Sequence, residues 1–221
     1  MRAFLILAFA LVATFSIAQT PAVKPAWLQG HQGPRIGFGL ASRTGGQVAG
    51  GGTNLLLAPM VGWFFEAPVH PQVSIMPEIL YMTKGYNSRN QAQGARYRTT
   101  LRYLEIPLGI KVSTSKDTDG MYLIFGPSMG YFLKGRDQTW TNGQETAERT
   151  YTSLPSPQGR FQTSAFAGFG MEGDKWSFDV RTQASFQAFN KYQTGGQNVN
   201  YSLTFAYRIA GKKPPPPETE E

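Results

Sequence analysis

The stretch WSFDVRTQASF, residues 176–186, decides the fold of this chain. Its alternate positions are apolar and are interrupted by one threonine: Trp176, Phe178, Val180, Thr182, Ala184 and Phe186. The positions between them are polar or charged, and a period of two is that of a β-strand, whose successive side chains point to opposite faces. In a soluble protein the apolar face would line the core. In a membrane barrel it would face lipid, and the charges would face a lumen.

The amino terminus predicts export. A short basic start precedes an apolar run over residues 3–15, and the small residues of Ser16-Ile17-Ala18 then form a site that signal peptidase accepts. Residues 1–18 are therefore expected to be a cleaved signal peptide, because the run is short for a membrane anchor and lacks a basic flank. No later stretch approaches the roughly 20 apolar residues of a membrane helix, so the exported chain could enter a membrane only as a closed barrel.

Composition narrows the classes of function. The chain of 221 residues contains no cysteine, which excludes disulfides, a lipid-modified cysteine, thiolate metal sites and a cysteine nucleophile. Its formal charge is +7, which favours anionic neighbours such as lipid phosphates. The basic residues are spread along the chain without a block of five or six, so no nucleic-acid partner is expected.

Eight segments have the pattern of strands: roughly 35–42, 55–66, 72–85, 96–113, 121–134, 161–172, 176–188 and 199–210. Their connections alternate between short ones (67–71, 114–120, 173–175) and long polar ones (43–54, 86–94, 135–160, 189–198). Short periplasmic turns, long external loops and an even strand number are typical of outer-membrane barrels. The sequence therefore predicts an all-β fold, a single eight-stranded antiparallel up-and-down transmembrane β-barrel.

This interpretation gives the chain four parts. They are the signal peptide 1–18, a periplasmic lead-in 19–34, the barrel 35–210, and a proline-rich acidic tail 211–221 that remains in the periplasm. The four consecutive prolines of the tail favour an extended polyproline segment. A solvated terminus and a periplasmic docking peptide are both compatible with it.

The polar faces of the predicted strands carry seven charges: Glu78, Lys84, Glu105, Lys111, Asp179, Arg181 and Arg208. An eight-stranded barrel is just wide enough for side chains to fill, and charges buried there must be paired. We expect a structural salt-bridge network, with a proton path or a substrate site as the alternative. Aromatic residues near strand ends are expected to form interfacial girdles: Trp63, Tyr81, Tyr131, Trp176 and Tyr207.

Two motifs that are typical of enzymes lack their structural context. Residues 126–130 match G-x-S-x-G, but the following residues continue a strand and both histidines, His31 and His70, lie upstream. Residues 168–173 match G-x-G-x-x-G, but another strand follows where phosphate binding needs a helix. No catalytic, cofactor-binding or metal-binding residues are predicted, and the protein is not expected to be an enzyme.

Four phrases carry a family resemblance: MPEILYMTKGYN (76–87), YLEIPLGIKV (103–112), GPSMGYFL (126–133) and YSLTFAYRI (201–209). Over roughly residues 35–210 the chain resembles the PorT-like outer-membrane β-barrel proteins of Bacteroidetes-type bacteria. The resemblance implies an eight-stranded outer-membrane barrel and brings no catalytic residues. The chain departs from many outer-membrane barrels because it continues past its last aromatic strand into the proline-rich tail.

The leading functional hypothesis is a non-enzymatic outer-membrane barrel, acting in membrane integrity or as an interaction or secretion-assembly component. The longest loop, 135–160, is the candidate interaction surface through Arg136, Trp140, Arg149 and Tyr151. Expected partners are outer-membrane lipid, lipopolysaccharide and an envelope protein, with the barrel itself monomeric. The alternatives are a soluble secreted β-barrel that binds a small apolar ligand and a lipid-modifying enzyme at the outer rim.

Overall fold

The computed structural model describes residues 30–44, 53–90, 94–115, 120–153, 160–188 and 196–210. The predicted signal peptide and proline-rich tail lie outside these residues. The strands are β1 (His31–Thr44), β2 (Thr53–Asn54), β3 (Leu56–His70), β4 (Val73–Asn90), β5 (Ala95–Ser113), β6 (Gly120–Thr141), β7 (Gln144–Tyr151), β8 (Phe161–Glu172), β9 (Trp176–Ala188), β10 (Gln197–Tyr207) and β11 (Ile209–Ala210). The described ranges contain no helix that is long and apolar enough to cross a membrane.

The long strands pair antiparallel with their neighbours in chain order, from β1 through β3, β4, β5, β6, β8 and β9 to β10. β10 then pairs with β1, from Arg35 opposite Ala206 to Thr44 opposite Gln197. The short strands extend this sheet: β2 pairs with β4, β7 with β6, and β11 with β1. The pairing therefore returns to the strand where it began, which gives the sheet an inner and an outer face.

The stretch 176–186 alternates as its sequence predicts, with its apolar face outward. Trp176, Val180 and Phe186 are 44 %, 37 % and 61 % exposed, whereas Asp179 and Arg181 are buried inside. The soluble alternative is wrong, because it requires this apolar face to point inward. The other long strands share the pattern, and their exposed apolar side chains form an apolar belt: Ile36, Phe38, Leu40, Val61, Phe65, Ile79, Leu104, Ile106, Leu108, Ile110, Leu123, Phe125, Phe169, Val180, Phe186 and Phe205.

Aromatic residues lie at the ends of this belt. Trp176 and Tyr207 are register partners on β9 and β10, close to the short connections. Tyr81 and Tyr131 flank Leu104 from the two neighbouring strands, nearer to the long connections. Their positions agree with those expected for interfacial girdles.

The prediction of a loop over 135–160 is wrong for much of that segment. Strand β6 continues to Thr141, and β7 returns beside it after a two-residue turn at Asn142 and Gly143. Both turn residues have positive φ, 52° and 83°, as a two-residue hairpin with the twist of its strands requires. An Asn-Gly pair is a strong hairpin signal, and here it outweighs the polar composition that predicts a loop.

Strands β4 to β7 extend past the apolar belt on the side of the long connections. We call this extension, residues 83–90, 95–102, 134–141 and 144–151, the projecting wall. Its outer face is set by a bulge: the register of β5 with β6 shifts between Arg102 and Tyr103, which leaves Leu133 as an extra residue. A bulge reverses the faces beyond it, so Lys134, Arg136 and Trp140 point outward.

The prediction that the belt lies in hydrocarbon and the wall in water can be tested at two exposed alanines. Ala167 is an exposed outward position within the belt and Ala147 an exposed position on the wall. A nitroxide on Ala167→Cys in lipid vesicles should be relaxed mainly by oxygen, because it lies in hydrocarbon. The same label on Ala147→Cys should be relaxed mainly by a water-soluble nickel chelate. Equal nickel accessibility at both positions would contradict the assignment of the belt.

Candidate functional site

The interior of the sheet is a layered network of charged side chains. All seven predicted lumen residues are buried, with exposures between 0 and 5 %. Four further charged residues, Arg35, Arg43, Glu66 and Glu172, are also buried and were not predicted. The same strand alternation identifies them, because Arg35 lies opposite the Ile36 face of β1 and Glu172 opposite the Met171 face of β8.

Arg181 occupies the middle of the interior and joins two carboxylates. Its Nη1 and Nη2 donate to the two oxygens of Glu78 at 3.1 and 2.9 Å. Its Nε and Nη2 donate to the two oxygens of Asp179 at 2.7 and 3.1 Å. The planar guanidinium thus makes a bidentate contact on each side, the strongest geometry available to such a pair.

Arg35 extends this middle layer across the seam where β1 meets β10. Its Nη1 donates to Asp179 on β9 and to the Thr204 hydroxyl on β10, both at 2.5 Å. Thr204 donates in turn to Asp179 at 2.8 Å, and the Tyr122 hydroxyl donates to the same carboxylate at 2.8 Å. Asp179 is therefore fully hydrogen-bonded, which offsets the cost of burying its charge.

A second layer lies at the end of the short connections. Lys111 donates to Glu66 at 2.6 Å and also to Glu172. Arg208 reaches the same two carboxylates at 3.4 and 3.1 Å and donates to the backbone oxygen of Gly173 at 2.8 Å. Two cations thus alternate with two carboxylates and fill this end of the interior.

A third layer lies toward the long connections. Lys84 pairs with Glu105 at 2.5 Å and donates to Gln162 at 3.2 Å. Glu105 also accepts hydrogen bonds from Ser128 at 2.6 Å and Gln183 at 3.0 Å. Above this layer the interior becomes apolar, with a buried cluster of Met60, Leu80, Met82, Tyr86, Leu101, Tyr103 and Phe132.

This interior explains the two misleading motifs. Ser128, the serine of the G-x-S-x-G match, donates to a lumen carboxylate and lies within strand β6. The glycines of the other match leave room for the network: a Cβ on Gly170 would lie 2.7 Å from that of Asp179, and one on Gly168 would lie 2.8 Å from Arg181 Cγ. The small residues that produce both motifs therefore accommodate buried charges.

The chemistry of this interior is that of mutual neutralisation. Its carboxylates accept hydrogen bonds from guanidinium, ammonium, hydroxyl and amide groups of other strands. In the described ranges no group of three or more histidine, aspartate or glutamate side chains could hold a metal ion. The arrangement is suited to filling the lumen and joining strands.

The four predicted interaction residues lie on two faces of the β6–β7 hairpin. On the outer face Arg136 donates to Glu148 at 2.6 Å, and Trp140 lies beneath Arg96 and Arg98, whose guanidinium carbons are 5.9 and 5.6 Å from its ring centre. The hydrogen bond from Arg136 lowers the pKa of the Glu148 carboxyl, so that exposed pair stays ionised.

The other two residues lie on the inner face. The guanidinium carbon of Arg149 is 6.0 Å from the ring centre of Tyr151, and Tyr151 stacks on Phe132 at 6.0 Å and donates to Asp137 at 3.3 Å. The structure therefore does not bring the four residues together into one surface.

A cleft of about 650 Å³ opens between the outer face of the wall and the short strand β2. It is lined by Asn54, Leu55, Asn87, Arg89, Arg96 and Trp140, among other residues. Asn87 is held by a bond to the backbone oxygen of Leu55 at 2.8 Å and accepts from Arg98 at 3.1 Å. No sequence pattern indicates this cleft, because its residues come from four strands.

The structural role of the interior can be tested at Arg181. Replacing it with alanine leaves Glu78 and Asp179 short of a partner, which should cost about 3–5 kcal/mol, the scale for breaking a buried ion pair. The measurement is the temperature at which the folded band disappears when samples are heated stepwise before electrophoresis. Glu105→Ala should lower it as well.

The matched control is Arg136→Ala, which breaks the exposed ion pair with Glu148. Exposed pairs contribute little to stability, so this variant should melt close to the unaltered protein. Unchanged melting of both Arg181→Ala and Glu105→Ala would rule out a structural network.

Comparison with known proteins identifies the general class. A family model described as outer membrane protein beta-barrel domain matches residues 31–205. A search of curated proteins gave no significant match. Among solved structures, Ail of Yersinia pestis is 11 % identical with a TM-score of 0.42, covering 81 % of this chain and 99 % of Ail.

OprG of Pseudomonas aeruginosa is 8 % identical with a TM-score of 0.40, covering 80 % of this chain and 94 % of OprG. Both TM-scores are below 0.5, so no residue role is transferred from either protein. The family match spans most of the chain, including every long strand, and it agrees with the outward apolar belt. The chain belongs to the outer membrane protein beta-barrel domain family and is a protein of the outer membrane.

Proposed function

We propose that the chain is a single eight-stranded, up-and-down transmembrane barrel that acts as a non-enzymatic interaction component of the cell envelope. The observation that carries this proposal is the contrast between a filled interior and a wall that projects beyond the belt. The interior charges neutralise one another, and the wall presents a hairpin with polar side chains on both faces. We therefore propose that the protein acts through surfaces outside the lumen.

The unpaired edge of the β6–β7 hairpin is an argument for a protein partner. Strand β7 pairs with β6 along one side, and no other described strand pairs with it. An unpaired edge offers backbone donors and acceptors to another chain, while charges such as Glu145, Glu148 and Arg149 limit indiscriminate pairing. Arg149 and Tyr151 on one face, and Arg136 and Trp140 on the other, would flank the added chain.

The finer assignments extend the same proposal. The chain is placed in the PorT-like branch on its PEILY, YLEIP and GP-x-x-GY phrases. It is exported through a cleaved signal peptide, keeps the tail 211–221 in the periplasm, and acts as a monomeric barrel in secretion assembly. A role in membrane integrity is the second candidate, favoured by the extensive ion pairing that stiffens the barrel.

A hairpin truncation tests the interaction role. Replacing residues 138–148 with a two-residue Asn-Gly turn joins the register partners Asp137 and Arg149 and keeps Tyr151 on Phe132. Heat-dependent gel migration should stay intact, because the belt and the lumen network lie below the cut. A photoreactive residue placed at Gln144, on the exposed edge, should form a discrete protein adduct in intact cells.

The matched control places the same photoreactive residue at Asp174, an exposed position in a short connection. The adduct of the Gln144 position should be absent from Asp174 and from a truncation carrying the label at Lys134. An identical adduct pattern at all three positions, or none at Gln144, would reject the hairpin as the interaction surface.

A further inference from the structure

The outer face of the projecting wall carries cations in unfavourable positions. Arg102 on β5 lies directly opposite Lys134 on β6, and Arg89 on β4 lies directly opposite Arg96 on β5. Side chains at such positions are about 5 Å apart at Cβ, and like charges placed there destabilise a sheet. Two like-charged pairs on one face, with Arg98 between them, would be stabilised by a bound anion.

The described residues of this face supply few carboxylates. Glu145 and Glu148 on β7 are the register partners of Trp140 and Gln138. Glu148 is already engaged by Arg136 at 2.6 Å, and Glu145 accepts from Gln138 at 3.3 Å. Among the residues that the structure describes, no carboxylate lies within ion-pair distance of Arg102 or Lys134, and Lys134 acts on Glu148 only over a longer distance, lowering the pKa of that carboxyl.

The distance of these cations from the apolar belt indicates which anion lies near them. Arg102 follows the belt residue Leu104 on the same face, two residues away and thus about 7 Å along the strand. Lys134 follows Tyr131 across the bulge at Leu133. The first cationic pair is therefore level with the headgroups just outside the hydrocarbon, where phosphate groups of the outer leaflet lie.

We infer that Arg89, Arg96, Arg98, Arg102 and Lys134 form a basic strip that binds a phosphorylated glycolipid of the outer leaflet. The Arg102–Lys134 pair receives a phosphate near the membrane surface, since guanidinium and ammonium groups are the preferred phosphate donors in proteins. Arg96 and Arg98, held over the Trp140 ring, place the upper charges beside the cleft of Asn54 and Asn87.

The cleft fits the remainder of such a molecule. The Asn54 amide and the remaining donor and acceptor positions of Asn87 can hydrogen-bond sugar hydroxyls, and the exposed part of the Trp140 ring offers an apolar platform. The strip thus leads from a phosphate position at the belt to a saccharide position farther out. This inference rests on the proposed placement of the wall outside the membrane and is independent of a protein partner at the β7 edge.

The test measures lipid binding by the full-length barrel purified in detergent. Native mass spectrometry would follow its titration with bisphosphorylated lipid A, with dephosphorylated lipid A and inorganic phosphate as comparison ligands. The phosphorylated lipid should bind at least tenfold more tightly than the dephosphorylated one. Arg102→Ala and Lys134→Gln should each weaken it about tenfold, the scale of one charge-assisted hydrogen bond.

Lys175→Ala is the matched control, because it removes an exposed cation at the opposite end of the barrel and should bind like the unaltered protein. Folding of each variant is verified by heat-dependent gel migration. If Arg102→Ala does not fold, Lys134→Gln alone tests the strip. Equal binding of both lipids, equal losses in Lys175→Ala, or full displacement by inorganic phosphate would overturn the inference. A variant that has lost lipid binding should still form the photoadduct at Gln144. This result would show that the lipid site and the protein-interaction edge are independent.

Discussion

The two-sided contact of Arg181 with Glu78 and Asp179 is the interaction on which the barrel interior depends. A carboxylate without a partner is costly in this buried, narrow space, and breaking a buried pair costs far more than losing an exposed one. Arg35 brings β1 to the same Asp179, which lies 144 residues away in sequence. Because Thr204 on β10 completes the set, the charges are satisfied only when the first and last long strands have met. Closure of the sheet and neutralisation of its interior are therefore one requirement.

Much of the fold follows from the period of two. The predicted strands 161–172 and 176–188 coincide with β8 and β9, and the outward belt is the apolar set that the alternation defines. The alternation also gave the seven lumen charges, since a polar position flanked by belt residues must face inward. Applied to the first strand it would have identified Arg35 as well. The partners of these charges could not be predicted, because contacts across a lumen depend on strand order and stagger, which no local pattern encodes.

The projecting wall shows where local patterns stop being sufficient. The extra residue Leu133 reverses the faces of β6, so alternation counted from the belt assigns Lys134 to the wrong side. The Asn142-Gly143 pair predicts a turn, yet the sequence on both sides of it has the polar composition of a loop. It is polar because both faces of the hairpin are exposed to solvent. A period of two in hydrophobicity arises when one face is buried and the other is not. Where both faces are exposed, the strand persists and the signal disappears.

Cations serve opposite purposes on the two sides of this sheet. Inside, Lys111 lies between Glu66 and Glu172, and its charge is neutralised by ion pairs that join three strands. Outside, Arg102 and Lys134 oppose each other, and in the proposed strip their charge binds a ligand. The interior makes the outer arrangement tolerable, because the Lys84–Glu105 ion pair joins β4 to β5 and Ser128 on β6 donates to Glu105, which holds these strands together below the like charges of the wall. A binding strip of this kind can be maintained only on strands anchored elsewhere, and the filled lumen provides that anchor.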